Sequence, residues 1–156
     1  MNIFVSLILL LCIITFFSFF TGYINSRVTM IKKREKKFNE LEQQGYNIKR
    51  KWHCNYMSIG VDEEKKIIAC IVLGFRLQLY IFDIRDIREK IEIKISGVIP
   101  KMATSVCVVF KGKDNNFYFL RTLTIKKGFG VLKSGKTFKK AVAQAEEIIE
   151  VIEKCR

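Results

Sequence analysis

The segment from Gly130 to Thr137 reads GVLKSGKT and matches the pattern G-x-x-x-x-G-K-[ST] of phosphate-binding loops. It follows a strand-like run and precedes a helix-like one, which is the local setting that such a loop needs. Phosphate-binding loops, however, belong to parallel sheets with an Mg²⁺-orienting aspartate further along, and only 19 residues follow Thr137. The intervening positions are also bulky rather than glycine-rich. We therefore interpret the match as fortuitous, and nucleotide binding by Gly130–Thr137 stays a distant alternative.

Other arrangements of catalytic or metal-binding residues are absent from the sequence. His53 is the only histidine, and its neighbour Cys54 would point to the opposite face of a strand, so the two make a poor chelate. The five cysteines include no C-x-x-C pair, which is typical of reduced thiols in a cytosolic compartment. We therefore expect no enzymatic activity, no cofactor and no metal site.

Two lysine-rich segments carry nearly all of the net charge of +13. Residues 27–51 contain nine cations and three anions, and residues 125–140 contain six lysines and no acid. Anionic lipid headgroups attract such segments, although topology setting and compositional bias would also explain the lysines. A nucleic-acid partner is not expected, because no aromatic-basic recognition motif is present. The candidate residues for binding anionic lipid or a protein partner are Lys32, Lys33, Arg34, Lys36, Lys37, Lys126, Lys127, Lys133, Lys136, Lys139 and Lys140.

Residues 3–24 contain no carboxylate, amine or guanidinium side chain. As a helix they would extend about 33 Å at 1.5 Å per residue, enough for a hydrocarbon core of about 30 Å. A cleaved signal peptide would need a basic start, a shorter apolar run and a small-residue cleavage site. None of these is present, so the sequence predicts a transmembrane anchor from Ile3 to Ile24.

The residues after the predicted anchor set its orientation and continue its helix. Six cations and one acid lie between residues 27 and 37. Because basic flanks stay in the cytoplasm, we expect the cytoplasmic (inner) membrane, with the N-terminus outside and the C-terminal domain in the cytoplasm. Residues 25–45 favour a basic juxtamembrane helix or linker that ends at Gly45, a natural C-cap. Phe38 and Leu41 in this segment would pack either on the domain or on lipid.

From Tyr46 the apolar residues alternate, which predicts a β-rich domain over residues 46–156. The run Ile67–Leu73 is apolar almost throughout and predicts a strand buried on both faces. An amphipathic helix is expected over 138–154, with Thr137 or Ser134 as its N-cap. The predicted strands lie near 46–54, 57–61, 66–73, 76–82, 89–95, 104–111 and 117–125.

Several runs of this chain resemble small prokaryotic membrane-anchored proteins of unknown function with a pleckstrin-homology-like (PH-like) domain. They are EQQGYNIKRKW, SIGVDEEKKIIAC, LYIFDIRDIRE and LKSGKTFKKAVAQAEEIIEVI. Within them, Asp62 matches a turn of that pattern, and Phe82-Asp83-Ile84 matches its phenylalanine-Asp-Ile segment. The resemblance covers most of residues 42–152 and implies an α+β fold. In it, an antiparallel β-roll or partly open barrel of about seven strands is capped by the C-terminal helix. The resemblance implies no activity.

The sequence therefore favours a membrane-tethered, non-enzymatic binding module that docks a protein partner or anionic lipid at the cytoplasmic face. The alternative is a structural or assembly scaffold that oligomerises through its anchor.

Overall fold

The structure, a computed structural model, describes residues 3–74, 76–125, 128 and 130–156, apart from some side chains of the first 24 residues. The chain divides into two compact units. The first ends at Lys36, and the second runs from Lys37 to Arg156.

Helix α1 extends from Ile3 to Gln43 without interruption. It confirms the helical conformation predicted for the anchor and for the segment that follows. Gly45 ends the helix as predicted, with a φ of +88° and its N–H donating to the carbonyl of Glu42 at 3.0 Å. In the part of the chain that the structure describes, no helix is both long and apolar enough to cross a membrane. The structure thus confirms a helix over Ile3–Ile24 but not a membrane span.

The second unit contains nine strands, a short 3-10 helix and a C-terminal helix among its described residues. Strands β1 to β4 pair in sequence order as a four-stranded antiparallel sheet. A three-stranded antiparallel sheet has the order β5-β7-β8, and β6 pairs with β9. The elements are β1 (Arg50–His53), β2 (Met57–Asp62), β3 (Ile67–Leu73), β4 (Leu77–Asp83), the 3-10 helix (Ile84–Asp86), β5 (Glu92–Ser96), β6 (Met102–Ala103), β7 (Ser105–Lys111), β8 (Phe117–Thr124), β9 (Val131–Leu132) and α2 (Lys136–Cys155).

All seven predicted strands are present, and the α+β class is confirmed. The described strands form open sheets and no closed barrel. The first strand starts at Arg50 rather than near Tyr46. The N–H of Asn47 donates to the Asp62 carboxylate at 2.7 Å and is therefore not available for pairing with β2.

Sequence reasoning missed the pair β6–β9, which aligns Met102 with Leu132 and Ala103 with Val131. Two-residue strands are too short to show the alternation by which a strand is recognised. The predicted N-cap of α2 was wrong. Gly135 occupies that position and has no side chain with which to cap the helix. Its N–H donates to the carbonyl of Leu132 and closes a turn directly between β9 and the helix.

The main core lies between the two large sheets and α2. Its buried side chains come from the inner face of β1–β3, from β7 and β8, and from the apolar stripe of α2. Ala145, Ile148 and Ile152 of α2 are completely buried. The indole N–H of Trp52 donates to Glu147 at 2.9 Å and so joins β1 to the helix.

A second apolar cluster covers the outer face of β2 and β3. Phe38 and Leu41, from the last turns of α1, pack there with Ile48 and the outward-facing residues of β3. Space for the Phe38 ring exists because Gly60 has no side chain: a Cβ there would lie 2.7 Å from the ring. The sequence left open whether Phe38 and Leu41 meet the domain or lipid, and the structure places them on the domain.

Replacing Phe38 by Ala should therefore lower the free energy of unfolding by about 3–5 kcal/mol, because it empties a fully buried aromatic site. Asn39→Ala, one residue along on an exposed position, should change it by less than about 0.5 kcal/mol. Urea unfolding followed by circular dichroism measures both. Equal stabilities of the two variants would show that the end of α1 does not belong to the folded domain.

Candidate functional site

The segment Gly130–Thr137 does not adopt the geometry of an open phosphate-binding loop. Val131 and Leu132 form β9 inside it, and the Lys133 N–H donates to the carbonyl of Lys101 at 3.0 Å. The N–H of Gly135 is also bonded, at 2.9 Å. Amides that would have to point at a phosphate are therefore committed within the chain.

The four described lysines of the C-terminal patch are all exposed. Lys136, Lys139 and Lys140 lie in the first turns of α2 at spacings of three and four residues, which puts them on one side of the helix. Lys133 precedes the helix. Among the described residues no carboxylate forms an ion pair with these lysines. Lys126 and Lys127 lie outside the described residues.

The charges of α2 run against its macrodipole. Helix N-termini carry a partial positive charge and favour acids, yet the first turn of α2 contains none. The glutamates stand in the second half of the helix instead, where the dipole favours cations. This order costs the helix stability and concentrates positive potential at one end, which is the electrostatic condition for attracting anions. The glutamates are Glu146, Glu147, Glu150 and Glu153.

The five predicted cations of the juxtamembrane segment are not equally available. Lys32, Lys33 and Lys36 are exposed. Arg34 is buried, with 2% of its surface exposed, and does not contribute to an exposed cationic surface. Lys37 is half-buried and forms an ion pair with Glu40.

A cleft that sequence reasoning did not find opens beside β4, the 3-10 helix and the β7–β8 hairpin. Its volume is about 440 Å³. Three aromatic rings line it: Phe82 lies edge-on to Tyr118 at 4.6 Å between centroids, and Tyr118 stacks on Phe110 at 5.5 Å. The other lining residues are Ile81, Asp83, Asp86, Ile87, Gly112, Lys113 and Asp114.

Asp83 and Asp114, two of the three carboxylates at this cleft, are held ionised. The hydrogen bond from Arg85 lowers the pKa of Asp83, and the Arg85 Nη2 lies 2.6 Å from its Oδ2. The Tyr118 hydroxyl donates to Asp114 at 2.6 Å, which lowers the pKa of Asp114 and raises that of Tyr118. Carboxylates with lowered pKa values are poor proton donors at neutral pH, so neither Asp83 nor Asp114 is placed to donate a proton there.

Only part of this cleft could be predicted from the sequence. The short gap between the predicted strands 104–111 and 117–125 implies a hairpin in which Phe110 and Tyr118 lie opposite each other, and they do. Their contact with Phe82 joins the two large sheets, and no sequence signal specifies how those sheets pack. Sequence reasoning placed neither Asp83 nor Asp86 in a candidate site.

Asp62, which carries part of the PH-like resemblance, is a buried structural carboxylate. It accepts hydrogen bonds from the backbone N–H groups of Asn47, Glu64 and Lys65 at 2.7 to 3.0 Å. Burial alone would raise its pKa, but these hydrogen bonds and the nearby Lys65 charge outweigh it, so the pKa is lowered. Asp62 thus closes the β2–β3 turn rather than facing a ligand.

The single histidine and the described cysteines form no metal site. His53 Nδ1 lies 2.8 Å from the Ser58 hydroxyl, and no group of three His, Cys, Asp or Glu side chains occurs together among the described residues. Burial raises the pKa of the thiols of Cys70, Cys107 and Cys155, which keeps them protonated.

No family model, no curated protein and no solved structure matches this chain. The PH-like resemblance therefore stays a prediction.

Replacing Asp62 by Ala should lower the free energy of unfolding by about 3 kcal/mol, because three backbone amides lose the charged acceptor that the buried Asp62 supplies. The stabilisation by Asp62 should be fully present above the unfolded-state pKa of about 3.9, and it should disappear as the pH falls through the lower folded-state pKa. Urea unfolding at pH 7 and pH 3 measures this change.

The matched control is Glu64→Gln, in the same turn but exposed. The wild-type protein and Glu64→Gln should lose more stability on acidification than Asp62→Asn, in which that carboxylate no longer titrates. The same pH dependence in all three proteins would contradict this role of Asp62.

Proposed function

We propose that this chain is a membrane-tethered, non-enzymatic binding module, and that its lysine-rich surfaces contact anionic lipid headgroups at the cytoplasmic face of the inner membrane. Its α1 segment would be the anchor, and the unit from Lys37 to Arg156 would be the module.

The observation that carries the tether is the exposure of the apolar side chains of α1. Between Ile8 and Phe19, the apolar side chains described as exposed leave 49–80% of their surface uncovered. Because successive helix residues are 100° apart, these side chains point in every direction around the axis. A helix that is apolar on all sides needs an apolar environment on all sides. Lipid supplies this, whereas a protein groove covers one face.

The polar groups of this segment support the same environment. The hydroxyl of Thr15 donates to the carbonyl of Leu11 at 2.9 Å, and that of Thr21 donates to Phe17 at 2.9 Å. Hydroxyls bonded within their own helix do not require water, so they can enter hydrocarbon at low cost. By sequence, the predicted anchor also contains apolar or aromatic residues at positions 3–5, 7, 20, 23 and 24.

Lipid contact is supported by the position and sign of the exposed charge. Each cation near an anionic leaflet contributes about 1 kcal/mol, so Lys136, Lys139 and Lys140 together would contribute about 3 kcal/mol. The arrangement of these lysines at the wrong end of the helix dipole costs stability in solution, and a bound anion would offset that cost.

The order of the elements supports a PH-like module. The seven longer strands form two antiparallel sheets, and the chain ends in a helix that packs on the second of them. The resemblance implies about seven strands capped by a C-terminal helix. The alternative, a structural scaffold that oligomerises through its anchor, is supported by the same apolar helix. The nucleotide-binding alternative has less support, since the amides of Lys133 and Gly135 are already bonded.

A charge in the middle of the anchor should prevent tethering. Ile13→Lys should cost about 3 kcal/mol of insertion free energy and shift the protein from the alkali-resistant membrane fraction to the supernatant. Ile31→Lys, beyond the charge-free segment, should stay with the membrane. If Ile13→Lys remains as resistant to alkaline extraction as the wild-type protein, α1 is not inserted in lipid.

Docking on lipid can be followed through Trp52, the single tryptophan, by energy transfer to a dansyl-labelled lipid. With the full chain in vesicles, transfer should be greater with anionic lipid than with neutral lipid, and salt should remove the difference by screening.

The variant Lys136→Gln/Lys139→Gln/Lys140→Gln should lose most of this difference, because it removes about 3 kcal/mol of attraction. The control Lys90→Gln/Lys94→Gln/Lys154→Gln removes the same amount of charge from other exposed positions. It should keep the difference in energy transfer between anionic and neutral lipid. Equal transfer in both lipids would exclude lipid docking and leave a protein partner.

A further inference from the structure

Strand β4 is an edge strand with unpaired backbone groups. It is the last strand of the four-stranded sheet and pairs only with β3 among the described strands. Two hydrogen bonds fix which residues face β3: the Ile84 N–H donates to Lys66 at 2.8 Å, and the Gly74 N–H donates to Arg76 at 3.3 Å.

In an antiparallel pair, hydrogen-bonded positions recur every second residue. The even-numbered residues from Arg76 to Ile84 therefore bond to β3. The N–H and C=O groups of the odd-numbered residues Leu77, Leu79, Ile81 and Asp83 point away from the sheet.

The side chains of residues 77–82 are apolar or aromatic on both faces, apart from Gln78. Leu79 and Ile81 are 38% and 43% exposed on one face, and Tyr80 is 45% exposed on the other. Leu79 and Ile81 extend the same face that Ala69 and Ile71 present to the second apolar cluster.

Natural edge strands are usually protected by charges, proline, a bulge or shortness. Strand β1 is short and carries Arg50 and Lys51, and β5 carries Glu92 and Lys94. Residues 77–82 of β4 contain no charge and no proline, and the pairing of β4 with β3 is regular. Residues 77–82 of β4 therefore lack the protection that β1 and β5 carry.

We propose that β4 is a dimerisation edge, at which two copies of this chain pair through antiparallel β4 strands around a two-fold axis at Tyr80. Only the alignment that puts Tyr80 opposite Tyr80 pairs all seven residues of both strands. In it, Leu79 lies opposite Ile81 of the second copy, and Leu77 lies opposite Asp83.

This alignment is also consistent in its hydrogen bonding. Leu77, Leu79, Ile81 and Asp83 fall opposite one another, so each outward N–H and C=O finds a partner. Tyr80 falls at a non-hydrogen-bonded position, where the Cα atoms of two strands approach to about 4.5 Å.

Charge favours a second copy in the antiparallel direction. Asp83, which ends β4, is already paired with Arg85, so among the described residues the free charge beside this edge is that of Arg76, which precedes the strand. Antiparallel pairing keeps the two Arg76 side chains at opposite ends of the interface. A parallel arrangement would place like charges together. The uncharged stretch between these ends lets two chains of net charge +13 approach along β4.

A single cysteine at the two-fold axis tests this pairing. Tyr80→Cys, in a Cys12→Ser background of the full chain in neutral-lipid vesicles, should form a disulfide-linked dimer under mild oxidation. The other four cysteines are buried. Gln78→Cys is the matched control on the same face, because the two Gln78 positions would lie about 13 Å apart along the strands.

The Tyr80→Cys dimer should exceed the Gln78→Cys dimer about tenfold, since only the former meets disulfide geometry. Adding Ile81→Lys to Tyr80→Cys should abolish it, whereas Leu132→Lys, at an exposed position of β9, should not. Circular dichroism checks that each variant is folded, and the comparison of the two cysteines does not depend on Ile81→Lys.

Equal crosslinking at positions 78 and 80, or none at position 80, would overturn the proposal. Crosslinking of Tyr80→Cys in native membranes to a different protein, with no dimer, would also overturn it and identify a foreign strand as the occupant. These results are independent of lipid docking, because neutral lipid is used and β4 contains none of the candidate lysines.

Discussion

Strand β3 needs apolar cover on both of its faces, and the architecture of the second unit follows from this constraint. Ile68 and Cys70 point into the main core, and Ala69 and Ile71 point to the opposite side. The helix α2 and the second sheet cover the inner face. The outer face is covered by the last turns of α1, where Phe38 and Leu41 are almost completely buried. The folded domain therefore includes residues that belong, by sequence, to the linker.

Local patterns predicted most elements and few of the contacts between them. The strands, the C-cap at Gly45 and the double burial of β3 follow from alternation, glycine placement and a continuous apolar run. The Phe38 site depends on Gly60, and the aromatic cleft depends on Phe82 meeting Tyr118 from the other sheet. Such contacts are set by how sheets and helices pack, which single-chain periodicity does not encode. The two-residue strands β6 and β9 were missed because two residues are too few to show the alternation by which a strand is recognised.

Some charged residues of the chain are buried or bonded within it, and others are exposed. Arg34 is buried and Lys37 pairs with Glu40, so neither belongs to an open cationic surface. Asp62, Asp83 and Asp114 are held by hydrogen bonds within the domain. The lysines at the start of α2 are exposed and oppose the helix dipole, and the proposed contact with anionic lipid rests on them. An edge strand without protecting charges gives the same domain a separate route to a second copy.

The central claim is that lipid surrounds the apolar part of α1, and a spin-label accessibility scan along residues 8–19 tests it most directly. A single label would be placed at each position, and its collision rates with oxygen and with a polar nickel complex would be measured in vesicles. Lipid on all sides predicts high oxygen and low nickel accessibility at every position, without helical periodicity. A period of about 3.6 residues, with one shielded face, would show that protein covers the helix instead. Periodic shielding would contradict lipid on all sides and favour the scaffold alternative, whereas high nickel accessibility throughout would place the helix in water and contradict the tether itself.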